Sequence, residues 1–226
     1  MNEFLTRYFP YVMKKPEQLL KSIVETLQMT AWAGAFMFVF GLLFGILLTV
    51  TREGGILQNK AVYHVLDKVI NLLRSIPFVI LIALLMNLTK IIMGTRIGVR
   101  GVIVPLIFGS APFFARQVDA ALAGVDKGLV EAASSMGVGP VGIIFRVYLK
   151  EGTAAIARGA TITVINLIGL TAMSGYVGAG GLGDYAITYG YNYNRMDIVW
   201  AAVIVTVLIV SIVQAIGTLI AKLSTH

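Results

Sequence analysis

Glu131, Ala132 and Ala133, followed four positions after the second alanine by Gly137, form a cluster whose chemistry is that of docking. They sit in the segment Val125 to Glu151, where Asp126, Lys127, Glu131, Arg146, Lys150 and Glu151 place six charges between mostly apolar flanks. Asp126 is positioned to cap a helix that stops at Gly137, and Pro140 suits the first turn of a second helix. Alanine is a strong helix former, and its small side chain lets a partner surface approach the backbone closely. Glu131 can pair with a basic group on that partner or stay solvated. Gly137 permits the left-handed conformation of a sharp corner. Ile143, Ile144 and Val147 recur at helical spacing and give the second helix an apolar face. That face can rest against a membrane domain while the first helix projects outward.

Chemistry of the catalytic kind has no foothold, so no catalytic residue is assigned. His64 lies in a loop and His226 at the C-terminus, which leaves no histidine pair and no metal site. Asp67 and Glu53 share the loop of His64 and read as a solvated face. The phosphate-cradling pattern G-x-x-x-x-G-K-[ST] is missing. The run Gly178 to Gly183 is glycine-dense but has no adjacent lysine. Its place at the end of an apolar stretch suits close helix packing or a bend. Energy must therefore come from a separate subunit, and the chain is expected to be neither an enzyme nor a cofactor carrier. Cysteine is absent, which excludes disulfides and thiolate metal sites. The net charge of +7 is no nucleic-acid signal, because the basic residues gather at the ends of apolar stretches.

The elements that must position the docking segment are set by a bilayer. Hydrophobic residues make up 58% of the chain and charged residues 13%, against ~25% charged in a soluble domain. A spanning helix needs ~20 mostly apolar residues. Ala31 to Val50, Gly159 to Gly183 and Ile198 to Ala221 are uncharged and meet that test. Ser75 to Thr89 lies between Arg74 and Lys90, and Gly101 to Ala115 between Arg100 and Arg116; such long cations snorkel to the interface. The reading is an all-α integral membrane protein, one transmembrane domain over 1–226 with five transmembrane helices. The spans are expected near 23–50, 69–93, 98–121, 154–183 and 197–221, with the water-side loop at 125–151. Re-entry of one of the two shorter spans is the alternative. Met1 to Gln18 carries Arg7, Lys14 and Lys15 without a short apolar core, so it does not read as a secretory signal.

Glu131-Ala132-Ala133, then Gly137, then Val147-Tyr148-Leu149 resembles the Glu-Ala-Ala loop of bacterial ABC importer permeases. The later half departs from that pattern, with Val147 in place of isoleucine and Lys150 in place of proline. Arg74-Ser75-Ile76-Pro77-Phe78, Pro105-Leu106, Ala111-Pro112-Phe113 ahead of Arg116, and Gly178 to Gly183 narrow the likeness to the methionine-uptake branch of that family. The resemblance implies a cytoplasmic loop seated in a groove of an ATPase, with Glu131, Ala132, Ala133 and Gly137 as the coupling residues. It further implies two permease copies on a pair of ATPase subunits that hold ATP and Mg, and a substrate-binding lipoprotein outside. Transport would run by alternating access in a bacterial cytoplasmic membrane, with methionine or a related amino acid as cargo.

Five spans with that loop inside put the N-terminus outside and the C-terminus in the cytoplasm. Lys and Arg then number ten inside and eight outside, a narrow bias in the sense of the positive-inside rule. Asn166, Thr171 and Ser174 are polar groups in the fourth span, and each reads either as a pathway residue or as a hydrogen-bonding contact between helices. Gly41-x-x-x-Gly45 reads as helix packing within the subunit. Pro77, Pro105 and Pro112 are candidates for kinks. A different class, an ion-coupled carrier or channel, would require buried acidic residues.

Overall fold

The structure, a computed structural model, describes residues 7–224; His226 lies outside the described residues. Every regular element among the described residues is helical. Four helices are long and apolar enough to cross a bilayer: Pro16–Thr51, Gly98–Ala123, Pro140–Val177 and Met196–Leu223. A fifth crossing exists if the pair Lys60–Ser75 and Phe78–Met93 is counted as one broken span. The first helix has 36 residues, so at 1.5 Å per residue it is about 54 Å long, well beyond a ~30 Å hydrocarbon layer. Its charged first turns, with Glu17, Lys21 and Glu25, therefore reach into the interface.

The stretch expected as one span over 69–93 is instead broken at Ile76 and Pro77. Proline lacks the N–H that would continue the ladder and drives the preceding residue out of the α conformation, and Ile76 is extended with ψ 123°. The half before the break is amphipathic. Val62, Val65, Val69 and Leu72 are exposed on it, while Asp67, Lys68, Asn71 and Arg74 supply its polar side. Asn59 caps its start, its side-chain oxygen accepting from the Val62 N–H at 3.1 Å. Such a helix suits the membrane interface better than the interior. Pro105 and Pro112, by contrast, lie inside one continuous helix.

The chain forms two compact units whose segments alternate along the sequence. One comprises the stretch up to Ala35, Pro77–Ile107 and Val164–Val213; the other comprises Phe36–Ile76, Phe108–Thr163 and the chain from Gln214 onwards. Four of the five boundaries fall inside helices, so no linker separates domains.

In the first unit, Tyr185 is fully buried with Val12, Ile198, Ala201 and Ala202. Here the fourth apolar stretch stops short of the expected residue 183. Its helix ends at Ser174, a single 3-10 turn follows over Gly175–Val177, and Gly178 takes the left-handed conformation (φ 72°). The glycine run then folds back against its own helix. A Cβ on Gly183 would stand 2.0 Å from the Ala172 carbonyl oxygen, and one on Gly175 2.2 Å from the Asp184 nitrogen. The N-terminus of the short helix Gly181–Asp184 is satisfied from the first long helix: Glu25 Oε2 accepts from the Gly181 N–H and Thr26 Oγ1 from the Leu182 N–H, both at 2.8 Å. Close packing, as the missing lysine implied, is what this glycine run does.

In the second unit, Gly41 and Gly45 lie against the helix Gly98–Ala123. A Cβ on Gly41 would meet Phe114 at 2.6 Å, and one on Gly45 would meet Val118 at 2.5 Å and the Ala115 carbonyl oxygen at 2.7 Å. This pair packs helices within one subunit. Gly45→Val is expected to lower stability by about 1–3 kcal/mol, the usual cost of overpacking, because a carbonyl cannot move aside as a side chain can. A detergent-unfolding titration that places the variant level with the parent chain would remove this contact from the core.

Candidate functional site

The docking segment is built by local backbone chemistry. The Asp126 carboxylate accepts from the Gly128 N–H at 2.7 Å and starts the helix Lys127–Ser135. At the other end Gly137 has φ 77°. Its N–H donates to the Ser134 carbonyl at 3.0 Å, and the Val138 N–H donates to the Ala133 carbonyl at 3.1 Å. These two bonds form a Schellman closure, which satisfies the last carbonyls of the helix in one tight corner. Gly139 is extended, and Pro140 opens the next helix at its first turn.

Glu131 and Ala132 are exposed, and Glu131 forms no ion pair among the described residues. Ala133 is buried, at 6% exposure. Of the two alanines named as coupling residues, only Ala132 is therefore on the outer side. Ala133 lies on the inner side of its helix and Ile143, 2% exposed, is buried in the next. Leu129, Met136, Val141 and Phe145 are exposed apolar side chains on the same segment, from 46% to 76%. Where exposed apolar groups form a contiguous patch, they mark a protein–protein or membrane surface. In the sequence these four side chains are hidden by the charges between them, which mark the segment as polar.

The second short helix is not a separate piece. Pro140–Ile143 passes through a widened π turn, Ile144–Tyr148, directly into Leu149–Ser174. The Leu149 N–H bonds to the Ile144 carbonyl, five residues back. Lys150, unlike a proline, keeps its N–H, and the helix Leu149–Ser174 continues through it. The corner at Gly137 is thus joined rigidly to a long helix.

A charge cluster lies in the same unit. Asp119 accepts from Arg52 Nη2 and, at 2.9 Å, from the Thr49 hydroxyl. Arg116 pairs with Asp67, donates to Asn71 Oδ1 at 2.9 Å, and stands 3.9 Å from Asp119. Asn71 in turn donates to Asp67 at 3.1 Å. The Arg116 and Asp119 side chains are 19% and 16% exposed, which shields the pairs from full solvent screening. Asp67 is therefore not the solvated acid its loop position suggested. It ties the amphipathic helix to the helix that leads, through Ala123, into the docking segment. The partners that join different helices are 45 to 70 residues apart in sequence, and no local signal joins them.

The polar residues of the fourth span separate. Thr171 and Ser174 are buried, and their hydroxyls donate back to the Ile168 and Thr171 carbonyls at 2.7 and 2.6 Å. The Ser174 hydroxyl also lies 3.7 Å from the Met29 sulfur. Both are buried within their unit in this structure. Asn166 is exposed on its helix. No group of three or more His, Asp or Glu side chains among the described residues is placed to hold a metal ion.

Asp119→Asn is expected to lower stability by on the order of 1–3 kcal/mol, because it leaves Arg52 and Arg116 short of an ionised acceptor. Thermal unfolding of the purified chain measures this. A melting temperature equal to the parent's would show that the cluster is decorative.

Comparison with known proteins extends the picture from the segment to the whole chain. A permease named as the methionine import system permease protein MetP of Bacillus subtilis is 45% identical over 217 residues, 96% of this chain and 97% of that one. A probable D-methionine transport system permease protein MetI of Vibrio cholerae is 41% identical over 208 residues, 92% of each chain. A solved structure of the MetNI methionine ABC transporter in inward-facing conformations has a chain that superposes with a TM-score of 0.92 at 40% identity, covering 94% of this chain and 99% of its own. The family model of the binding-protein-dependent transport system inner membrane component matches residues 37–225. The chain is a member of that family, the membrane-spanning permeases of ABC importers.

Proposed function

We propose that this permease carries methionine or a closely related amino acid into the cell, powered by ATPase subunits that grip the helix Lys127–Ser135. The observation that carries the reading is likeness over nearly the full length to permeases named for methionine. It is supported by a docking segment whose cap, corner and exposed Ala132 are all in place. ATP and Mg belong on the partner, since this chain offers no phosphate loop. Two copies of the chain meet a pair of ATPases, and a substrate-binding lipoprotein delivers cargo from outside. The exposed amide of Asn166 then faces the second copy or the pathway, where water or a polar partner satisfies it.

The coupling follows from rigidity. Gly137 turns the helix Lys127–Ser135 directly onto a helix that continues through the bilayer. A push on Ala132 and the exposed Met136 and Phe145 therefore reaches the spans without a flexible joint to absorb it. In this reading the docking segment and C-terminus are cytoplasmic, and the N-terminus is outside.

Ala132→Trp is expected to cut methionine uptake by about tenfold or more, the effect of removing a central docking contact, while membrane levels stay at those of the parent. Ala133→Trp should instead lower the amount of folded protein, since that position is buried. Normal uptake by the Ala132 variant, or uptake that follows an imposed ion gradient without ATP, would sink the reading. The chain has no cysteine, so single cysteines report topology without background. An impermeant maleimide added outside should label Tyr8→Cys and spare Ser224→Cys; the reverse pattern would invert the orientation.

A further inference from the structure

Near the end of the last helix, Arg158, Lys222, Gln214, Thr161, Thr218 and Ile162 line a groove of about 300 Å³. All lie in one compact unit. The floor of the groove is a tight helix crossing: a Cβ on Gly217 would stand 1.9 Å from Thr161 Oγ1. The two cations, Arg158 and Lys222, form no ion pair among the described residues. Asp126 and Glu151 share a neighbouring hollow with Arg158, yet neither pairs with it. The hydroxyls of Thr161 and Thr218 already donate to the Ala157 and Gln214 carbonyls, each at 2.8 Å, so their oxygens are left as acceptors. Among the described residues, the donors without a partner are therefore the guanidinium, the ammonium and the Gln214 amide. Free acceptors come from the two threonines.

We infer that this groove binds the headgroup of an anionic glycerophospholipid, with its phosphodiester between Arg158 and Lys222 and its glycerol hydroxyls against Thr161 and Thr218. Lys222 is in the last turn of a helix that ends at Leu223, which puts the cations at the depth of headgroups, not of hydrocarbon. Ile162 is 52% exposed and gives one acyl chain an apolar wall. A basic pocket between spans at the membrane edge is the usual form of such a site. Phosphatidylglycerol matches both halves of this donor and acceptor set; phosphatidylcholine has the phosphodiester, but its choline cation is repelled by Arg158 and Lys222 and it offers no hydroxyl to the threonines. The site does not rest on which solute the permease carries.

The test is lipid retention by the full chain, purified in mild detergent from vesicles of equal phosphatidylglycerol and phosphatidylcholine and weighed by native mass spectrometry. The parent chain should keep phosphatidylglycerol in preference. Arg158→Gln and Lys222→Gln should each cut that retention about fivefold, the weight of one basic residue at a membrane surface. Arg158→Lys combined with Lys222→Arg should preserve it, and Lys68→Gln should leave it unchanged. Equal retention of the two lipids, or phosphatidylglycerol held undiminished by the doubly neutralised chain, would overturn the site. Displacement of the lipid by inorganic phosphate alone would assign the cations to a free anion. A spontaneous disulfide between copies carrying Thr218→Cys would place a second subunit in the groove and exclude the lipid. If the neutralised variants do not fold, the preference of the parent chain between the two lipids decides the matter.

Discussion

A bilayer offers backbone groups no water, and every other feature of this chain follows from how it meets that condition. Helices satisfy themselves along their length, but each interruption exposes N–H and C=O groups that must find partners in the protein. At the glycine run after Ser174, Glu25 and Thr26 reach from the first long helix to take the Gly181 and Leu182 N–H groups. At Gly137 the chain closes its own helix end through the Ala133 and Ser134 carbonyls. These two breaks are chemically sealed, so each is a fixed bend.

Fixed bends matter because the permease must transmit movement. The helix Gly98–Ala123 is pressed against Gly41 and Gly45 and joined by Arg116 and Asp119 to Asp67 and Arg52. Four residues past Asp119 it ends, and Asp126 starts the docking helix at once. On the far side of the corner, the π turn at Ile144–Tyr148 hands the chain to another spanning helix. The docking helix is thus held at both ends by long elements. π turns recur at functional sites because they reorient the side chains of a helix without breaking it.

Signals written in a few adjacent residues were legible before any coordinates. Asp126 as cap, Gly137 as corner and Pro140 as first turn each act on backbone groups within three residues of themselves. The apolar stretches declared a membrane protein for the same reason, since one helix of ~20 apolar residues suffices to cross. Less legible was the stretch over 69–93, where hydropathy averaged across Pro77 and hid the amphipathic character of Lys60–Ser75. The two alanines also looked equivalent, because composition does not say which way a helix is turned.

By itself, the sequence determined that the chain is helical, lives in a bilayer and carries a capped helix that turns at Gly137. The tertiary structure decided that Ala132 is outward and Ala133 inward, that Thr171 and Ser174 are buried, and that Asp67 and Asp119 are held by arginines. The division has a physical cause. Caps, corners and hydropathy are local, whereas burial and ion pairing depend on side chains from helices that meet only once the chain has folded.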